Sequence, residues 1–398
     1  MADLYHQREK NNTPTMESLG GQFSRLHIAK RSAMKDSMTY ILDIDVSRPV
    51  EGQSNQTVAI LCSNKSIGLY NKETMTCLQE YNARPGVLSG VRFSHSNSNL
   101  LFSACSDATV KLWDVRVSGS EAAQEFNGYP SNVFISFDIS CDDLVVCAGT
   151  EKIDEDAFLV FWDSRYSPDT HSREPLGVYS ESHNDDITQV RFHPTNPSLL
   201  ASGSTDGLVN VFDISEGNED DALSSTCNSD SSVGVIGWAG KGYNQVYCLT
   251  HNEGFCWWDL AQVDTDEPIT LCSIEDVREK IEGCTVDYLT GGLYDDKTDS
   301  LFLVAGSHSG TVHLLRCDSD RLIHLKSLQG GHSSTVCSFY WDVDDNFLIT
   351  GGEDAQLLLW KAEVQDLSHK KADSIKMASS VLQKVRVHNA KSYSPKKK

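Results

Sequence analysis

The chain is 398 residues long, 39% hydrophobic and 23% charged, with a formal net charge of −22. No run approaches the roughly 18 consecutive apolar residues of a membrane-spanning helix, and the opening Met-Ala-Asp-Leu-Tyr-His-Gln-Arg-Glu-Lys lacks the apolar core of a signal peptide. An acidic body repels phosphate backbones and makes a poor nucleic-acid binder; the exception runs from Lys361 to Lys398, where ten Lys or Arg face three Asp or Glu. The twelve cysteines include no Cys-x-x-Cys pair, and several sit in apolar runs (Cys62, Cys105, Cys248), as free thiols in a reducing compartment do.

In chain order, residues 1–22 are polar, with Asn-Asn-Thr-Pro and Gly-Gly, the composition of a disordered extension. Phe23–Lys30 alternates apolar and polar side chains, the period of a strand. From there to residue 362 one unit recurs, in which a turn residue stands six positions before an anchor, usually aromatic. Asp107 with Trp113 shows it best. The other copies are Asn64 with Tyr70, Asp156 with Trp162, Asp206 with Phe212, Asn252 with Trp258, Ser309 with Leu315 and Asp354 with Trp360. Successive turn residues stand 43, 49, 50, 46, 57 and 45 positions apart. Such a period marks a repeat architecture, whose units cannot bury their apolar faces alone. The units lie near 36–72, 80–115, 125–164, 179–214, 228–260, 284–317 and 328–361. Each holds short β-prone runs, such as Leu100-Leu-Phe-Ser-Ala and Val110-Lys-Leu-Trp in the second. The third carries a longer, acidic turn, Glu151–Asp156. The long step after the fifth places extra residues near Ser273–Ile281, where Ser273 and Asp276 have capping-box spacing and a short helix is expected. Past the last unit, 363–398 forms a basic, mostly flexible tail with Ser394-Pro395 beside three lysines.

Gly331–Val336 (Gly-His-Ser-Ser-Thr-Val) followed by Gly351–Trp360 (Gly-Gly-Glu-Asp-Ala-Gln-Leu-Leu-Leu-Trp) resembles a nearly complete WD-repeat unit. The resemblance spans residues 23–362. It implies an all-β fold, a seven-bladed β-propeller of four-stranded antiparallel blades, closed by an N-terminal strand. That strand, assigned to Phe23–Lys30, would supply the outer strand of the last blade and remove an open edge. In the family, a turn Asp, a strand Ser or Thr, a loop His and the strand Trp form a buried hydrogen-bonded set. Carried over residue by residue, the set is complete in the seventh unit as His332, Thr350, Asp354 and Trp360. The fourth offers His183, Ser202 and Asp206, but Phe212 brings no indole donor. The second offers Ser103, Asp107 and Trp113, with no matching His. These sets are expected to be structural, since a Ser–His–Asp group beneath a hairpin is not an exposed nucleophile.

No His-Glu-x-x-His motif or phosphate loop occurs, and the thirteen His are scattered, with only near neighbours such as His308 and His313. No enzyme activity, cofactor or metal is therefore expected. Two arginines stand out, in Trp113-Asp-Val-Arg116 and Trp162-Asp-Ser-Arg165. These boxes resemble those of WD-repeat substrate receptors of cullin-4 ubiquitin ligases, which implies that Arg116 and Arg165 contact the ligase adaptor. The expectation is a scaffold binding other proteins, in the cytoplasm, the nucleus or both. The narrower alternatives are the ligase receptor and a nuclear ribosome-assembly or RNA-associated factor working through the basic tail; no membrane partner is expected.

Overall fold

The computed structural model describes residues 19–49, 56–82, 86–119, 121–128, 133–165, 172–261, 267–318 and 321–362. They form seven antiparallel sheets, each an up-and-down run of four strands. The second blade shows the pattern with Leu88–Phe93, Leu100–Cys105, Thr109–Asp114 and Gln124–Asn127. Its sheet gains a fifth, two-residue strand, because Ser172–Arg173 from the third blade pairs in parallel with Glu125 and Phe126. Strand alternation explains the packing. Leu101, Cys105 and Trp113 face blade one, while Phe102, Ala104, Val110 and Leu112 face blade three. Repeated around the ring, this places seven apolar clusters between successive blades.

The ring closes as expected. Leu26–Ala33 pairs with Gln356–Ala362, the third strand of blade seven, and becomes its outer strand. Its start corrects the sequence reading: Phe23 belongs to a short helix, Leu19–Ser24, which also takes the last residues of the stretch expected to be disordered. Leu19 and Phe23, one helical turn apart, are both buried against blades six and seven, and Phe23 lies 5.3 Å from the Trp341 ring.

Neighbouring first strands are also stitched by side chains. Asp43 accepts the Val91 N–H (3.1 Å), Asp45 that of Phe93 (2.6 Å), Asp138 that of Phe192 (2.8 Å) and Gln189 that of Ile236 (3.0 Å). These strands line a central cavity of about 470 Å3.

The hairpin turns explain the spacing of the repeat. In six blades the residue after the turn residue is left-handed: Lys65, Ala108, Gly207, Glu253, Gly310 and Ala355, with φ between 59° and 90°. In four of them its N–H is bonded three residues back, to Cys62, Ser204, Thr250 and Ser307. This is a type I turn closed by a left-handed bulge residue. Blade three differs, since Ile153 and Asp156 bridge each other and Asp154 takes the left-handed position. The expected helix after blade five is a three-residue 3-10 turn, Val277–Glu279, capped by Asp276 through the Arg278 N–H. Ser273 lies instead in the outer strand Ile269–Ile274, opposite Cys256. The twelve cysteines are all unbridged, and only Cys77 is exposed.

Candidate interaction surface

The polar sets form to different degrees. In blade seven, His332 Nδ1 meets Asp354 at 3.0 Å and Nε2 meets Thr350 Oγ1 at 2.8 Å, while the Trp360 indole donates to the same hydroxyl at 2.9 Å. In blade four, His183 joins Asp206 (3.0 Å) and Ser202 (2.7 Å). Phe212 supplies no donor there; Asn210, which the sequence reading passed over, reaches the Ser182 carbonyl (2.7 Å) and the His183 ring (3.4 Å). In blade two the Trp113 indole donates to Ser103 at 2.9 Å, but Asp107 stands apart from the pair. Asp107 instead accepts from the Thr109 hydroxyl and faces Lys111 at 3.6 Å. Without a histidine nothing spans from carboxylate to hydroxyl. In blade three Ala148 occupies the hydroxyl position, and the Trp162 indole turns to the Asn127 carbonyl of blade two. His183 and His332 are buried, and their Asp partners are held below the ordinary carboxylate range: burial pushes Asp206 and Asp354 up, but the imidazole and backbone hydrogen bonds outweigh it. A buried, fully bonded histidine braces the hairpin.

Arg116 and Arg165 lie past the third strands of blades two and three, hence at the same end of the ring. Each guanidinium grips the Asp of its own box. Arg116 Nε and Nη2 meet Asp114 at 2.8 and 2.6 Å, and Arg165 Nε meets Asp163 at 2.9 Å. The pairs hold Asp114 below the ordinary carboxylate range and Asp163 down to about 2. This is the local pairing any surface Asp-x-Arg neighbour would make, yet the side chains remain 66% and 70% exposed. The carboxylate fixes the fork without covering it.

Exposed apolar side chains share this end of the same two blades. Val117 (60% exposed) follows Arg116, Leu144 (47%) immediately precedes the second strand of blade three, and Leu176 (66%) precedes that blade's outer strand. The segments are tied together. The Leu144 carbonyl accepts the Ser164 N–H, Arg173 donates to the Arg165 carbonyl at 3.0 Å, and Gln79 donates to the Val117 carbonyl at 3.0 Å. The parallel pairing of Ser172–Arg173 with blade two joins both blades at this place.

The central cavity holds a second polar group that the sequence did not signal. Arg92 and Arg191 come from the first strands of blades two and four. Arg92 meets Asp43 at 2.7 Å. Burial lowers the pKa of Arg191, and Arg92 lowers it further. The tail, 363–398, with its candidate nuclear and RNA-binding features, lies outside the described residues. Among those described, no helix is long and apolar enough to cross a membrane.

The WD domain, G-beta repeat, is matched at residues 75–114, 173–213 and 323–361. Each match runs from near the outer strand of one blade through the third strand of the next, so the sequence repeat is offset from the blade by one strand. The chain is 28% identical to the WD repeat-containing protein 89 homolog of Dictyostelium discoideum over 82% of its length and 83% of that protein's. It is 28% identical to the WD repeat-containing protein GTS1 of Arabidopsis thaliana, covering 77% and 78%. An uncharacterized WD repeat-containing protein of Saccharomyces cerevisiae is 33% identical over 59% of each chain.

Proposed function

The chain is a WD-repeat β-propeller, and from that premise we propose that it is a non-catalytic scaffold whose main docking surface is the end of blades two and three that carries Arg116 and Arg165. WD-repeat proteins generally mediate protein–protein interactions and typically act without catalysis, and the names of the relatives give no catalytic activity. The observation that carries the proposal is the coincidence of two pre-oriented, exposed guanidinium groups with Val117, Leu144 and Leu176 on backbone tied across two blades. Arg beside exposed apolar side chains is the composition of interface hot spots, and a rigid platform loses little entropy on binding.

The test is affinity purification with mass spectrometry of the intact chain, of Val117→Ser/Leu144→Ser/Leu176→Ser, and of Arg116→Ala/Arg165→Ala. The proposal expects a set of partners to be lost from both variants while far-UV circular dichroism stays unchanged. Retention of every partner by both would overturn it.

The paired boxes support one narrower reading, docking on a cullin-4 ligase adaptor through Arg116 and Arg165. Co-purification of that adaptor should then vanish with the arginine pair, and undiminished association sinks the ligase reading while leaving the scaffold standing. Deleting 364–398 addresses the third alternative, which expects RNA-dependent nuclear association to disappear.

A further inference from the structure

Blade six lacks the polar set of blade seven. Its turn residue is Ser309, its anchor is Leu315, and Ala305 stands where blade seven has Thr350. A different group occupies its outer half. His313, on the third strand Val312–Cys317, is a direct cross-strand partner of Ser327, and His324 precedes Ser327 on the outer strand Leu322–Leu328. Cys284 comes from the connection that leads in from blade five and packs against the cluster between blades five and six. One donor atom from each of Cys284, His313 and His324 lies within 4.8 Å of the other two.

One nitrogen of each ring is already engaged. His313 Nδ1 meets Ser327 Oγ at 2.8 Å, and His324 Nε2 meets the same oxygen at 2.9 Å. One hydroxyl oxygen with two lone pairs can accept from both rings. In that arrangement the nitrogens left for a ligand are His313 Nε2 and His324 Nδ1, which bind a metal when each ring is deprotonated there. His313 is 5% exposed, and its Nε2 is buried without a hydrogen-bond partner. An orphan ring nitrogen is costly in a native interior and points to a missing partner. His324 Nδ1 faces the incoming connection: a side chain on Gly283, left-handed at φ +91°, would stand 3.9 Å from it, and Cys284 is the next residue.

We propose that Cys284 Sγ, His313 Nε2 and His324 Nδ1 bind a divalent transition ion of the zinc class, with Ser327 as the residue that orients both histidines. A thiolate with two imidazoles is a borderline-soft donor set that suits zinc, and tetrahedral donors about 2.0–2.3 Å from the ion stand roughly 3.3–3.8 Å apart. Binding would draw the donors, now within 4.8 Å of one another, into that range by side-chain rotation. A shared hydrogen-bond acceptor behind two ligating imidazoles is the second shell that metal sites use to fix tautomer and ring orientation. Cys284 and His324 are only partly buried, so the fourth position faces water. The ion would pin the connection between blades five and six to the two outer strands of blade six.

The test is metal analysis of untagged, full-length protein purified from zinc-supplemented medium without chelator. About one zinc per chain is expected, falling to background in Cys284→Ser and in His313→Gln and unchanged in Cys337→Ser, with circular dichroism confirming that each variant folds. Cobalt titration of the chelated wild-type chain should give thiolate-to-cobalt charge-transfer absorption that Cys284→Ser abolishes. Ser327→Ala should keep the stoichiometry but weaken affinity about 10–100-fold. Wild-type protein without zinc or a cobalt–thiolate band, or variants that bind as well as wild type, overturns the assignment.

Discussion

Asp163 is a small test of how firmly Arg165 is held. Its carboxyl is drawn down to about 2, first by the hydrogen bonds from the Arg165 side chain. Because the folded value lies below the ordinary Asp value of 3.8, the pair's contribution to stability is present above that value and is lost as pH falls from about 4 toward 2. Carboxyl-resolved NMR titration should therefore give a midpoint near 2, moving back up in Arg165→Ala; a midpoint that stays low in the variant assigns the shift elsewhere. At this scale the sequence was partly readable. The turn residues Asp107, Asp206 and Asp354 announce themselves because Asp tolerates turn geometry and bonds nearby backbone. The left-handed residue after them does not, because four blades use Lys65, Ala108, Glu253 and Ala355 rather than glycine. Each costs about 1–2 kcal/mol of local strain that the hairpin must offset. The Cys284–His313–His324 group was unreadable for another reason. The sequence suggested His308 beside His313, whereas the strand pairing brings in His324 and a cysteine from the preceding connection.

The element most worth perturbing is the pair formed by the Leu19–Ser24 helix and the Leu26–Ala33 strand. Phe23 is fully buried against Trp341 where blades six and seven meet. Phe23→Ala should lower unfolding free energy by about 3–5 kcal/mol, the cost of a large core truncation, as read from the urea midpoint. A shift below roughly 1 kcal/mol would mean that the helix is peripheral to the ring. The sequence foretold the strand because apolar and polar residues alternate there. The helix was hidden because the same stretch also places Leu19 and Phe23 one helical turn apart, and two periodicities overlap in a few residues. Tertiary packing decides between them. Gly20 brings the helix close to blade six, where even a methyl group would stand 3.1 Å from Leu325. The same competition moved the helix expected around Ser273: pairing with the third strand of blade five outweighs a capping box, and Asp276 takes the cap instead.

For the whole molecule, the ring was readable because seven copies of one pattern leave few alternatives, while the proposed docking surface was not. Val117, Leu144 and Leu176 are separated in sequence and are brought to one end of blades two and three by the strand order, with Ser172–Arg173 pairing across the two blades. The closing strand carries a last implication. Met34, just past it, donates to the Ala355 carbonyl before the third strand of blade seven, so the two strands run antiparallel. The chain accordingly enters the ring beside the place where it leaves, and the clasp is a β-hairpin that lacks only its loop. Circular permutation should be tolerated: joining Lys361 to Leu19 by a flexible linker and opening the chain at Gly217, in an exposed loop of blade four with no neighbour close to its Cα substituent position, should give a protein with unchanged circular dichroism and a single cooperative melt. A permutant that does not fold would show that the clasp works only when it arrives as a separate segment. If it folds, the ring holds together wherever its backbone is cut, and blade seven is one of several positions at which the fold tolerates an opening.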